Sequence, residues 1–216
     1  MEPASAESGI SAVLLAAGSS RRFGAGSKLL ADAGGRPLIA WAAAALAASR
    51  VGEIIVVTGP DPGGIQTALA GFPVRYAHNP DHLAGMGTSV AAGIGAVSAG
   101  ALGALVCPGD MPGLTPQLID RLIAAFEHHG GDRIIYPRTG DGRQGNPVLW
   151  PRRFFGRLAA LRGQSGGKAL LEEYASEAVA VPAAGIAASL DIDTLEDLEH
   201  YRRQLAGHGS PRRNEP

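Results

Sequence analysis

A chain of 216 residues has the length of one domain able to bury a substantial core, with little room for a second. Its formal net charge of -1 gives no global electrostatic reason to expect nucleic acid or an anionic membrane as partner, so any phosphate binding must be local. With 45% hydrophobic residues, 5% aromatics and 31 glycines the composition excludes a disordered chain and points to an alanine- and glycine-rich α/β protein, while the single Cys107 excludes an internal disulfide and any multi-cysteine metal cluster.

The first ten residues carry Glu2 and Glu7 but no basic run or long apolar stretch. They read as a flexible start rather than a signal peptide, and the expected location is the cytoplasm. Strands are predicted at residues 12–17, 53–58, 74–78, 104–107 and 133–136, each an apolar run closed by Gly, Pro or Asn. Helices are predicted over 37–49, 88–97 and 116–129, with Thr88 and Thr115 as N-caps of the last two. The longest apolar stretch, residues 38–48, is too short to cross a bilayer and reads as a buried helix. Residues 138–147, rich in Gly, Arg and Asp, read as an exposed loop or hairpin, followed by short helices at 151–160 and 168–174. A last helix is predicted at 194–205, acidic early and carrying Arg202 and Arg203 late, as the helix dipole favours. Residues 207–216 read as a flexible tail, which leaves one domain over residues 11–206. Strands alternating with helices are the pattern of a parallel sheet covered on both faces.

The exit of the first strand carries the densest chemical signal: Leu15-Ala16-Ala17-Gly18-Ser19-Ser20-Arg21-Arg22-Phe23-Gly24, followed by Lys28. Small residues let the backbone approach a nucleotide, and a turn over Gly18, Ser19 and Ser20 can aim N–H groups at phosphate oxygens. Arg21 or Arg22 and Lys28 add charge, which a triphosphate needs before its α-phosphorus can be attacked and pyrophosphate can depart. Gly18 alone would read as an ordinary turn. Two other phosphate motifs fail: Gly167-Lys168 is followed by Ala169 and lacks the upstream Gly of a P-loop, and Gly85-Met86-Gly87 runs on to Val90 where a dinucleotide fingerprint wants Gly.

This opening run resembles the signature of the MobA-like NTP transferases: Leu-Ala-Ala/Gly-Gly, then Arg-Met-Gly, then Lys. Here the pattern is Leu15-Ala16-Ala17-Gly18, Arg22-Phe23-Gly24 and Lys28, with Phe23 replacing Met. Within that superfamily the likeness is greatest to the molybdenum cofactor cytidylyltransferases and runs from about residue 11 to residue 198. It implies a Rossmann-like three-layer α/β/α nucleotidyltransferase fold with a mostly parallel central sheet. It also implies nucleotide contacts from Leu15, Ala16, Ala17, Gly18, Ser19 and Ser20, and catalytic roles for Arg22 and Lys28.

Cys107-Pro108-Gly109-Asp110-Met111-Pro112 places a carboxylate at a strand's carboxyl end, where open α/β sheets bind ligands. Asp110 there suits magnesium, which prefers oxygen ligands, although by itself it also reads as an Asp in a proline-bounded turn. Likeness to the family's Gly-Asp-x-Pro segment implies a metal-binding, catalytic Asp110. Cys107 reads as a buried small residue rather than a nucleophile. Asp191 and Asp193 share one face of an extended segment before the last helix, so either can point at the same metal, or Asp193 or Thr194 can cap that helix. The family's Asp-x-Asp-Thr-Pro-Glu-Asp-Leu segment implies Asp193 as the second metal ligand, with Leu195 here in place of Pro.

Gly85-Met86-Gly87-Thr88-Ser89 is a glycine-flanked turn at a helix start, either a plain N-cap or, as the resemblance implies, a nucleotide contact through Gly87, Thr88 and Ser89. His78 and His82 precede it without a third ligand, are weak evidence for zinc, and read as solvated loop histidines. Gly142-Arg143-Gln144-Gly145-Asn146-Pro147 and Gly163-Gln164-Ser165-Gly166-Gly167-Lys168 resemble the cytidylyltransferase segments Gly-x-x-Gly-His-Pro and Gly-Asp-x-Gly-Ala-Arg. They imply acceptor binding by Arg143, Gln144, Asn146 and Lys168. Asn146 stands for His, Gln164 for Asp, Gly167 for Ala and Lys168 for Arg, and the lost bidentate geometry leaves room for a different acceptor. Arg143 also reads as a solvated loop cation, and Arg152, Arg153, Arg157 and Arg162 as a solvated basic face.

The resemblance therefore implies Mg2+-dependent transfer (Mn2+ also suits) of CMP from CTP to the phosphate of molybdopterin. Pyrophosphate is released, and a molybdoenzyme is a potential recipient of the product. The alternatives are a related transferase using GTP or another triphosphate with another phosphorylated acceptor, and a non-catalytic nucleotide- or cofactor-binding chaperone. No nucleic acid or membrane partner is expected.

Overall fold

Strand residues alternate between two faces, and in β-strand runs such as 10–16, 53–58 and 103–108 both faces are apolar, so these strands need a helical layer on either side. The computed structural model describes residues 9–18, 23, 27–164, 166–183, 192 and 194–208. Its seven strands are β1 (Ile10–Ala16), β2 (Glu53–Thr58), β3 (Val74–His78), β4 (Gly103–Pro108), β5 (Ile134–Arg138), β6 (Val148–Pro151) and β7 (Ala178–Pro182). They form one sheet in the order β3-β2-β1-β4-β6-β5-β7. All neighbours pair in parallel except β6, which runs antiparallel to both β4 and β5.

Ala12, Leu14, Ile54, Val56, Leu105 and Cys107 face one side, under α1 (Leu38–Ala47), α2 (Gly63–Ala68) and α4 (Pro116–His128). Val13, Val57, Ala104, Val106 and Trp150 face the other, under α3 (Met86–Gly95), α5 (Phe155–Ala159) and α6 (Lys168–Glu173). The fold is thus the expected three-layer, Rossmann-like, mostly parallel α/β arrangement. Helix α7 (Leu195–His208) adds a third cluster, in which Ile192, Leu198 and Tyr201 pack on Phe23, Ala33 and Leu38. No helix among the described residues is long and apolar enough to cross a membrane.

The five predicted strands are present, and β6, β7 and α2 are additional. Thr115 caps α4 as expected, its hydroxyl accepting from the Leu118 N–H at 3.3 Å. Thr88 does not cap α3: that helix starts at Met86 behind Gly85, whose φ of 121° no β-branched residue adopts readily. Thr194 caps α7 reciprocally with Asp197, each side chain accepting from the other's backbone N–H at 3.1 and 2.8 Å. Residues 138–147 form the expected hairpin, closed by Thr139 N–H to Arg143 O and Gly145 N–H to Pro137 O. The expected flexible start at 1–10 needs shortening, because Ile10 is buried in β1 and Gly9 O accepts from Leu102 N–H. Residues 1–8 and 209–216 lie outside the described residues.

Candidate nucleotide and acceptor site

Strand order reverses at β1, which has β2 on one side and β4 on the other, and such a switch point opens a crevice at the strands' carboxyl ends. Leu15 and Pro108 are register partners at that edge, and the Gly109 N–H donates to Leu15 O at 3.0 Å. A Cβ on Gly109 would lie 2.7 Å from that oxygen, so glycine is what lets the β4 exit lie against the β1 exit and deliver Asp110 to the crevice. Lys28 arrives from the other direction, in a single 3-10 turn (Lys28–Leu30) anchored by the buried Leu29. Its Nζ donates to Asp110 Oδ2 at 2.5 Å, with side chains only 12% and 19% exposed. The Asp110 carbonyl in turn accepts from the Ile192 N–H at 3.3 Å. Asp191 and Asp193, on either side of Ile192, lie outside the described residues, as do Ser19, Ser20 and Arg22.

A cavity of about 640 Å³ opens beside this pair. Leu15, Asp110, Arg143, Gln144, Asn146 and Lys168 all line it, so four acceptor candidates meet Asp110 in one space although they come from segments far apart in sequence. Its remaining walls include the apolar Met86, Val90, Val106, Val148 and Trp150. Ala16 and Ala17 are buried behind it, and Gly18 is exposed at the end of the strand. Arg143 is 79% exposed and its Nε donates to Asp141 Oδ2 at 2.5 Å. The Thr139 hydroxyl and then Arg143 hold the Asp141 carboxyl below its ordinary range. Lys168 is the first residue of α6, exposed, behind Gly166 and Gly167. Gly167 permits that approach, since a Cβ there would meet the Trp150 ring at 2.9 Å.

The turn at 85–89 is held from within the chain. Thr88 and Ser89 are buried, and their hydroxyls both accept from Asn79 Nδ2 at 3.0 Å. The Gly87 N–H donates to Gly163 O at 2.9 Å, tying the turn to the segment ahead of Lys168. Only Met86 and Val90 of this stretch reach the cavity. Asn79 and Trp150 therefore shape the site without having stood out in the sequence. The Asn79-Pro80-Asp81 turn signal was the available hint for the first of them. His78 ends edge strand β3 exposed, whereas His82 is half-buried with a buried Nδ1 that has no hydrogen-bond partner among the described residues. Cys107 is fully buried, as expected. The basic cluster is largely neutralised: Arg153 pairs with Asp132 and Glu177, Arg157 with Glu173, and Arg152 and Arg162 bind backbone carbonyls.

The model of the MobA-like NTP transferase domain matches residues 12–179. The chain belongs to this family. Nucleotidyl transfer is the family's chemistry. The curated "Nicotine blue oxidoreductase" of Paenarthrobacter nicotinovorans is 27% identical over 202 residues, covering 88% of this chain and 94% of its own. A solved homologue of Mycobacterium tuberculosis Rv0371c, from Mycobacterium sp. strain JC1, is 26% identical with a TM-score of 0.79, covering 93% of this chain and 98% of that one. Rv0371c of Mycobacterium tuberculosis H37Rv in complex with manganese shares the fold at 24% identity and a TM-score of 0.67, over 90% of this chain and 98% of that one.

The donor set of this MobA-like site fits a hard divalent cation. Asp110 offers carboxylate oxygens at the crevice and already has a cation against one of them. Among the described residues no group of three His, Cys, Asp or Glu gathers to hold a metal. Mg2+ is commonly held by one or two carboxylates plus substrate phosphates, and Asp110 offers one such carboxylate.

Proposed function

We propose that this protein transfers CMP from CTP to the phosphate of molybdopterin with release of pyrophosphate, in the cytoplasm. The observation that carries the reading is the meeting of Lys28 and Asp110 at the β1/β4 switch point, beside a cavity that also holds Arg143, Gln144, Asn146 and Lys168. The strand exit from Leu15 to Gly18 would cradle the triphosphate with Ser19 and Ser20. Arg22 and Lys28 would neutralise the charge that develops as an acceptor phosphate oxygen attacks the α-phosphorus and pyrophosphate leaves in line. The attacking phosphate is already ionised, so the reaction needs no general base. Mg2+ or Mn2+ on Asp110 and Asp193 would supply Lewis-acid charge to the triphosphate, and the manganese complex of Rv0371c is a protein of this fold that takes such an ion. Gly87, Thr88 and Ser89 would contact the nucleotide, from a turn held by Asn79, with Met86 and Val90 lining the cavity beside it.

Pyrophosphate release by the purified protein with Mg2+ and each of CTP, GTP, ATP and UTP, with and without molybdopterin, tests this reading. CTP-specific, molybdopterin-dependent release is expected. Release with another nucleotide or another phosphorylated acceptor moves the substrates and keeps the mechanism, and the chaperone alternative gives nucleotide binding with no release. The product of the expected reaction would pass to a molybdoenzyme.

A second reading, an oxidoreductase activity, is favoured by the relative named nicotine blue oxidoreductase. Oxidation of a reduced nicotinamide nucleotide in the presence of nicotine blue, with no pyrophosphate release from any triphosphate, would decide for it.

A further inference from the structure

We propose that Asp141 is a positioning residue that aims Arg143 at the acceptor, its two carboxylate oxygens dividing the work of closing the hairpin and gripping the guanidinium. The inference rests on Arg143 contacting the acceptor, as proposed above, and says what holds it there.

The hairpin at 138–147 turns through Gly142, whose φ of 83° favours glycine and whose N–H donates to Thr139 O at 2.9 Å. Inside this turn Asp141 Oδ1 accepts from the Thr139 hydroxyl and, at 3.4 Å, from the Arg143 N–H, so one oxygen ties the turn. Oδ2 takes the Arg143 Nε–H at 2.5 Å. Both side chains are exposed, and an exposed ion pair contributes little to stability. What this one adds is direction. An untethered arginine at a hairpin tip samples many rotamers, and a ligand that needs one of them must offset the entropy of choosing it. With Nε held, the guanidinium plane is fixed and its Nη groups stay available for the paired hydrogen bonds that suit a phosphate. Arg143 lines the same cavity as Asp110 and Lys168. The opposite charges of Asp141 and Arg143 largely cancel at long range, so the hairpin tip selects an anionic group by geometry, while Lys168 brings a point charge. In the Gly-x-x-Gly-His-Pro pattern that residues 142–147 resemble, Arg143 stands at an unspecified position and Asp141 precedes the pattern. The pair is therefore a feature of this chain's own sequence.

Pyrophosphate release by the full chain with saturating CTP and varied molybdopterin tests the role. Asp141→Asn keeps an oxygen for the turn and sets an amide N–H against the Arg143 Nε–H. It is expected to raise the KM for molybdopterin about tenfold while kcat and the KM for CTP stay unchanged. Asp141→Glu, which keeps the carboxylate, should recover part of that loss. In an Arg143→Ala background Asp141→Asn should have no further effect, because the two side chains act as a unit. An equal loss in that background would overturn the inference, since Asp141 would then serve the hairpin alone, and so would a fall in kcat with KM unchanged. If Arg143→Ala itself leaves the KM for molybdopterin unchanged, the acceptor role of Arg143 falls instead. Should no pyrophosphate be released, nuclear magnetic resonance decides. Inorganic phosphate is expected to shift the Arg143 Nε–H signal, assigned by its loss in Arg143→Lys, at about tenfold lower concentration in wild type than in Asp141→Asn. Coincident titration curves would show that Asp141 does not aim the guanidinium.

Discussion

At the amino-terminal ends of β1 and β2, far from the crevice, Glu53 receives hydrogen bonds from the Ser11 hydroxyl, the Arg75 guanidinium, and both the backbone and hydroxyl of Ser98. Burial alone would push its carboxyl up, but these donors outweigh it and hold Glu53 down at about 2. A carboxyl whose folded value lies below its unfolded one stabilises the fold fully above the unfolded value, and that stabilisation is lost as pH falls through the folded one. The window is therefore pH 4.5 down to about 2. Melting temperature followed over that range should fall steeply in wild type and much less in Glu53→Gln; parallel curves would show that other carboxylates dominate. Lys28 and Asp110 were legible in the sequence because a cation and a carboxylate stood out among small residues at strand exits. Asn79 was not, since its importance lies in the two buried hydroxyls it touches; Gly109 stood in the quoted segment, but its close approach to the Leu15 carbonyl is visible only in the structure.

Among the elements, those legible in sequence owe their form to runs of apolar residues, while the missed ones owe theirs to partners. β6 has four residues, the last of them Pro151 and the residue before it in the chain Pro147, and is held between β4 and β5, and α2 begins on two glycines of poor helix propensity. α3 shows the same dependence on its neighbours. A Cβ on Gly93 would lie 2.2 Å from Val13 Cγ1 and 2.9 Å from Val57 Cγ2, so this helix rests directly on the sheet and a methyl group has no space. Gly95, in the same helix, has nothing within 4 Å. Propensity favours alanine over glycine by about 1 kcal/mol at either position. Overpacking should reverse that at Gly93, where Gly93→Ala is expected to lose about 1–3 kcal/mol, while Gly95→Ala is neutral or stabilising. Urea unfolding of the two variants checks the pair, and a gain in both would mean that α3 can lift off the sheet without cost.

Across the whole molecule, α7 reaches back to the beginning of the chain and to the site at once. Tyr201 packs edge-on to Trp41 at 6.0 Å between ring centroids, and its hydroxyl donates to Pro112 O, two residues beyond Asp110. Arg202 binds the Asp32 carbonyl in the stretch that follows Lys28. The last helix thus spans both segments whose side chains meet in the Lys28–Asp110 contact, while the sheet beneath has its own two cores. Removing the Tyr201 ring should therefore loosen the site more than the fold. Tyr201→Ala is expected to lose about 3 kcal/mol, near the lower end for truncating a large buried aromatic, because only its own small cluster empties. Amide exchange should rise at residues 28–38 and 110–114 and stay unchanged in β2 and β3, with turnover falling in parallel. Tyr201→Phe keeps the ring and gives up the hydrogen bond to Pro112, so it should show a small rise confined to 110–114. Exchange rising evenly through the sheet in Tyr201→Ala would instead mean that α7 holds the whole domain, and that the third cluster is continuous with the other two in energy if not in contact.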